Sequence, residues 1–201
     1  MTQPTLFNPP HWRFYQSLEE DLEKCFKYVA PESDHFEVHS DEFAKIILLA
    51  GSEFENVLKE FKRHVAYSCS ENIGGYYKCV KSNYPSISNM EMYMPRYFEF
   101  NFKPLENWSE LNPPEWWTYG YNKIKHNRLD HPKAPTLKRA FHSVASLQII
   151  LLHYYRLVHG SAHLPTSIAP SLILHEGLDP EKYGVFLVWN WILPDDTNTL
   201  Y

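Results

Sequence analysis

The chain predicts a mainly α fold, a bundle of four to five helices with a long aromatic loop and a small C-terminal β-hairpin. Three observations carry that expectation. Apolar residues recur at helical spacing in several long segments, prolines sit at the segment ends, and the period shortens after Pro165. With 201 residues, 44% of them hydrophobic and 21% charged, the chain is long enough to bury one sizeable core. Residues 1–165 are expected to form the bundle, and 166–201 an appendage of the same domain.

Residues 11–30 place Phe14, Leu18, Leu22, Phe26 and Val29 on one helical face, with Glu19, Glu20, Asp21 and Glu23 on the other side; Ala30-Pro31 ends the segment. Ser40 is a good N-cap for a second helix, and Asp41 and Glu42 suit the positive end of its dipole. Its stripe runs from Phe43 through Ile46, Ile47, Ala50, Phe54, Val57 and Leu58 to Phe61, and Lys59, Lys62 and Arg63 close it. A less regular helical piece spans about Ser70 to Asn83, weakened by Gly74 and Gly75 and ended by Tyr84-Pro85.

Residues 86–112 read as a long ordered loop. Met90, Met92, Met94, Tyr97, Phe98, Phe100 and Phe102 pin it down, and Pro95, Pro104 and Asn107 interrupt it. Asn112-Pro113-Pro114 then opens a further helix, which Asp130-His131-Pro132 closes. After Pro135-Thr136 comes a helix in which Leu137, Phe141, Val144, Ala145, Ile149, Leu152 and Tyr155, together with Gln148, cover more than half the circumference. This should be the central helix, ending near His159-Gly160. Leu172–Leu174 and Val185–Leu193 flank a turn-forming HEGLDPEKYG and read as the hairpin.

Composition narrows the function classes. Cys25, Cys69 and Cys79 have no CxxC spacing and read as reduced thiols, not as a disulfide frame or a zinc site. MTQPTLFNPPHWRFYQ has no basic region followed by an apolar run, so no signal peptide is expected. The longest apolar stretch, Val144–Leu152, is broken by Ser146 and Gln148 and is too short to span a bilayer. A cytoplasmic protein without a membrane partner is the expectation. No phosphate-binding glycine loop, nucleophile elbow or dinucleotide fingerprint is present, and no cofactor is expected. Neither His126, Asp130 and His131 nor His153, His159 and His163 have spacing that suits one metal ion.

The chemistry concentrates in residues 113–131, PPEWWTYGYNKIKHNRLDH. From Tyr121 to Arg139, Lys123, Lys125, Arg128, Lys133, Lys138 and Arg139 stand against Asp130 alone, a formal +5; the whole chain is −5, which leaves −10 elsewhere. Such a segment faces either something anionic or the protein's own acidic surface, with Asp21 and Glu53 among the candidate partners. Asn122 and His126 lie four residues apart on one helical face, beside Lys125 and Leu129, while Trp117, Tyr121 and Ile124 should point to the core. A neutral imidazole flanked by an amide and cations can orient a phosphodiester and move protons, which suits metal-independent RNA chemistry.

These residues resemble the HEPN superfamily, and the wider WWxxYNKIKHNR stretch is similar to an uncharacterised bacterial HEPN-like group. The superfamily includes metal-independent endoribonucleases of toxin–antitoxin and phage-defence systems, along with non-catalytic relatives. The resemblance covers about residues 40–160. It implies His126 as general base, with Asn122, Lys125 and Arg128 orienting phosphate, and a nucleic-acid contact through Lys123, Lys125, Arg128 and Lys133. The motif's arginine position is Tyr121, which removes the group that would stabilise a phosphorane.

Two readings stay open. One is a dimeric, non-catalytic or cryptic interaction or RNA-binding module; the other is an endoribonuclease. RNA and a regulatory protein are the partners the resemblance implies. A homodimer is also expected from a surplus of apolar surface on the helix at 137–158. Burial of His126 against Asn122 would favour the scaffold, and a cleft lined by Lys125, His126 and Arg128 the enzyme.

Overall fold

The computed structural model describes residues 10–65, 68–94, 101–159 and 174–175. Its elements are α1 (Pro10–Phe26), α2 (Asp41–His64), α3 (Ile73–Lys81), β1 (Met92–Tyr93), a π-helical turn (Trp116–Tyr121) running into α4 (Asn122–Asn127), α5 (Leu137–His159) and β2 (Leu174–His175). Single 3-10 turns lie at Ser33–His35, Ile87–Asn89 and Arg128–Asp130.

α2 and α5 form the central pair, and α1, α3 and the π-helical turn pack around them. Ser40 caps α2 as its sequence predicts, its hydroxyl accepting from the Phe43 amide at 3.1 Å. The starts of the two central helices are tied together. Ser40 N–H donates to the Pro135 carbonyl, and the amides of Leu137 and Lys138 donate to the carbonyls of Val38 and Phe36. Both helices therefore begin at the same end of the bundle.

Every side chain described from Leu137 to Val158 is buried or half-buried. α5 buries its apolar side chains within the chain apart from Tyr154, Leu157 and Val158, which are half-buried. Its polar members are accommodated locally: Ser143 donates to the Ala140 carbonyl, and His153 Nδ1 lies 2.7 Å from the Ile149 carbonyl.

Other boundaries differ from the sequence expectation. α1 ends at Phe26 rather than at Ala30, and one further hydrogen-bonded turn on Lys24 and Cys25 leads toward Pro31. α3 is shorter than expected because Asn72 caps it, accepting from the Gly75 amide at 2.8 Å. The cysteine expectation is corrected. Cys69 and Cys79 are joined in a disulfide across a Cα–Cα distance of 6.1 Å, leaving Cys25 as a free thiol. α3 folds back on the segment before it, which the ten-residue spacing alone does not reveal. The bond removes the cysteine argument for a reducing compartment.

In the aromatic loop, Met90, Met92, Met94, Phe102, Leu105 and Trp108 are buried. Met92 and Phe102 exchange both backbone hydrogen bonds at 2.8 Å. Asn107 takes a positive φ of 62°, a conformation that asparagine tolerates better than most residues. Of the expected C-terminal hairpin, the second strand at 185–193 lies outside the described residues. The strand at Leu174–His175 pairs antiparallel with the aromatic loop, Met92 opposite His175 and Tyr93 opposite Leu174. Among the described residues no helix is long and apolar enough to cross a membrane.

Candidate functional site

The motif segment begins with a π-helical turn, which shifts the angular phase of α4 relative to a regular helix. Trp117, Tyr121 and Ile124 are buried, as their spacing predicts, and so is Trp116. Trp116 and Trp117 both pack against Phe54 of α2, at ring centroid distances of 5.3 and 5.9 Å.

Tyr121, at the position where the resembled motif has arginine, is 3% exposed. Its ring lies on Gly51 of α2. A Cβ added to Gly51 would stand 2.3 Å from Tyr121 Cδ2 and 2.7 Å from Cε2 and Cγ, so only glycine allows this approach. Trp117 packs beside the ring at 4.5 Å. Lys125 Nζ donates to the Tyr121 phenol oxygen at 3.2 Å in a part-buried hydrogen bond. The residue is a wedge between two elements, and its ring is unavailable to a phosphate.

Asn122 is half-buried and His126 exposed, and no hydrogen bond joins them among the described residues. Lys125 lies over the Tyr121 ring at 5.0 Å and 3.9 Å from Glu55. Arg128 turns the other way and pairs with Asp41 at 2.5 Å. Both members of that second pair are more than half exposed, so it contributes at most about 1 kcal/mol. Part of the positive segment thus faces the protein's own acidic surface, through Asp41, Glu55 and Glu115. The two acids named from the sequence are engaged elsewhere: Asp21 with Lys24, and Glu53 with His11.

Lys123 and Lys133 do come together. They line an open pocket of about 380 Å³ with Tyr119, Asp130, His131, Pro132, Ala134 and Arg139. Neither lysine makes a side-chain hydrogen bond or ion pair among the described residues. Arg139 is a fixed wall of this pocket. Its Nε and NH2 donate to Glu115 at 2.8 and 2.7 Å, and its NH1 donates to the Ala134 carbonyl at 2.9 Å. Gly120 lets it lie flat, since a Cβ there would sit 3.3 Å from Arg139 Cδ. Asp130 accepts from the Asn127 side-chain amide. The pocket adjoins the start of α5, but the amides of that first turn are already bonded to Val38, Phe36 and Thr136. An anion here would be held by side chains, aided by the helix dipole.

Sequence reasoning passed over Tyr119, His131 and Arg139 as members of this group. One signal was readable, because Tyr119 and Lys123 are four apart and share a helical face. Bringing Lys133 and Arg139 to that face requires the fold-back at His131–Ala134 that leads into α5. Among the described residues, no three metal-ligating side chains gather at one point. No protein-family model, curated protein or solved structure matches this chain.

Proposed function

We propose that this chain is a HEPN-like, non-catalytic interaction module that binds RNA. The observation that carries the reading is the pocket in which Lys123 and Lys133, neither with a carboxylate partner among the described residues, lie beside half-exposed Tyr119. Two unpaired ammonium groups attract phosphate, and an accessible aromatic ring offers a base a stacking surface. The buried Tyr121 supports a binding role over a catalytic one, because the motif position that would carry a transition-state cation is occupied by a packing residue.

Binding of a labelled single-stranded RNA, followed by fluorescence anisotropy from low to physiological salt, tests the proposal. Affinity should fall with salt. Lys123→Glu and Lys133→Glu should each weaken binding and reduce the slope of log K against log salt by about 0.7 per contact removed. Salt-insensitive binding, or full affinity in both variants, overturns the proposal.

One observation favours a second reading as a metal-independent endoribonuclease: His126 is exposed and has no hydrogen-bond or ion-pair partner among the described residues, as a general base would need. Its test is RNA cleavage in EDTA. Products ending in 2′,3′-cyclic phosphate that disappear with His126→Ala would establish it. Intact RNA with both chains leaves the binding module. Sedimentation velocity tests the dimer that the resemblance implies.

A further inference from the structure

We infer that the pocket between α4 and the start of α5 takes a terminal phosphate monoester of an RNA strand, with the terminal base against Tyr119. This rests on the RNA-binding reading above and narrows it to recognition of a strand end.

The arrangement of charge carries the inference. A protein that tracks the internal backbone of a strand spreads its cations along a groove, one for each successive phosphate. Here that track is broken. Lys125 is drawn to Tyr121 and Glu55, and Arg128 to Asp41 on the other side. The cations without carboxylate partners in the pocket, Lys123 and Lys133, instead converge on one small space. A phosphodiester carries a single charge, whereas a monoester carries about −1.5 to −2 at neutral pH and presents three strong acceptor oxygens. Two unpaired ammonium groups match the monoester.

The walls agree with a short, terminal ligand. The pocket is open, and its volume of about 380 Å³ is at the small end of the roughly 300–1,000 Å³ found for ligand pockets, enough to seat one nucleotide. Arg139 cannot swing in, since Glu115 and the Ala134 carbonyl hold its donors. It contributes a rigid wall and leaves the lysines to make the contacts. Asp130, which accepts from the Asn127 side-chain amide, also lines the pocket and sets one negative charge against the two ammonium groups, leaving a net positive lining. Tyr119, 55% exposed and one helical turn before Lys123, stands where a base next to the bound phosphate could stack.

The test compares one single-stranded RNA sequence, internally labelled, in three forms: 5′-phosphate, 3′-phosphate, or hydroxyl at both ends. The 5′ and 3′ arms distinguish the two sources of a terminal monoester. One phosphate-ended form should bind about tenfold more tightly than the hydroxyl-ended strand. Lys123→Ala and Lys133→Ala should erase that difference, and Tyr119→Ala should weaken it while Tyr119→Phe retains it. Unaltered thermal melts would show that the variants remain folded. Equal affinity for all three strands overturns end recognition and leaves RNA binding standing. An end preference that survives both lysine substitutions overturns the assignment to this pocket. No binding of any strand overturns both inferences.

Discussion

Replacing Gly51 with alanine tests whether Tyr121 is a structural wedge. The added Cβ would lie 2.3 Å from Tyr121 Cδ2, and ordinary contact requires about 3.4 Å, so the ring or the helix must yield by about 1 Å. The contacted atoms include Cγ, at the root of a rigid ring, so no flexible tip can move aside. Trp117 at 4.5 Å and Lys125 bonded to the phenol oxygen resist a swing of the whole side chain. Overpacking of this kind costs about 1–3 kcal/mol, offset by roughly 0.5–1 kcal/mol gained when alanine replaces glycine inside a helix. A 2.3 Å approach to a rigid ring puts the overpacking cost at the upper end of that range. A net loss of about 2 kcal/mol should then lower Tm by about 4–8 °C at this chain length, each kcal/mol shifting Tm by roughly 2–4 °C. Thermal unfolding followed by circular dichroism reads the change. The double variant Gly51→Ala/Tyr121→Ala completes the cycle, because without the ring the alanine at 51 should no longer destabilise. A single Gly51→Ala variant as stable as the parent would refute the wedge.

Three further outcomes are expected from individual groups. His11 Nδ1 lies 2.5 Å from Glu53; this hydrogen bond raises the imidazole's pKa against the opposing effect of burial, and lowers that of the carboxyl. The His11 contribution is present below pH 6.5 and lost as pH rises through its raised value. The Glu53 contribution is present above pH 4.5 and lost as pH falls through its lowered value. Denaturation midpoints should therefore show a wild-type advantage over Glu53→Gln that is largest between about pH 4.5 and 6.5, and a pH-independent difference would contradict this. His142, packed against the rings of Phe102 and Phe141, has its pKa lowered to about 3, chiefly by burial and less by Lys138. It stays neutral when folded, so stability should drain away as pH falls from 6.5 toward 3, and His142→Gln should blunt that loss in acid titrations. Thiol titration in denaturant should find one reactive group, Cys25, before reduction and three after it; breaking the Cys69–Cys79 loop should cost roughly 3 kcal/mol or a little less. Three thiols before reduction would remove the disulfide.

The helices were legible in the sequence because their signals are local. The stripe from Phe43 to Phe61, the Ser40 cap and the continuous apolar cover of α5 each record burial at a fixed period, and each element forms where that record places it. Trp117, Tyr121 and Ile124 were readable as core for the same reason. Contacts between distant segments were not readable. No local pattern says that Gly51 receives the Tyr121 ring, that Cys69 meets Cys79, or that Asp41 draws Arg128 away from His126. A run of six cations has no direction until the chain around it folds. The π-helical turn and the reversal at His131–Ala134 decide which cations meet carboxylates and which are left facing a pocket. Periodic burial acts within each segment, so the order of residues was enough to specify which segments are helical and which faces are buried. That Lys123 and Lys133 line one pocket, while Asn122 and His126 do not line it, was decided by the packing of the elements. Charge pairing depends on distances between elements, and periodicity does not encode them.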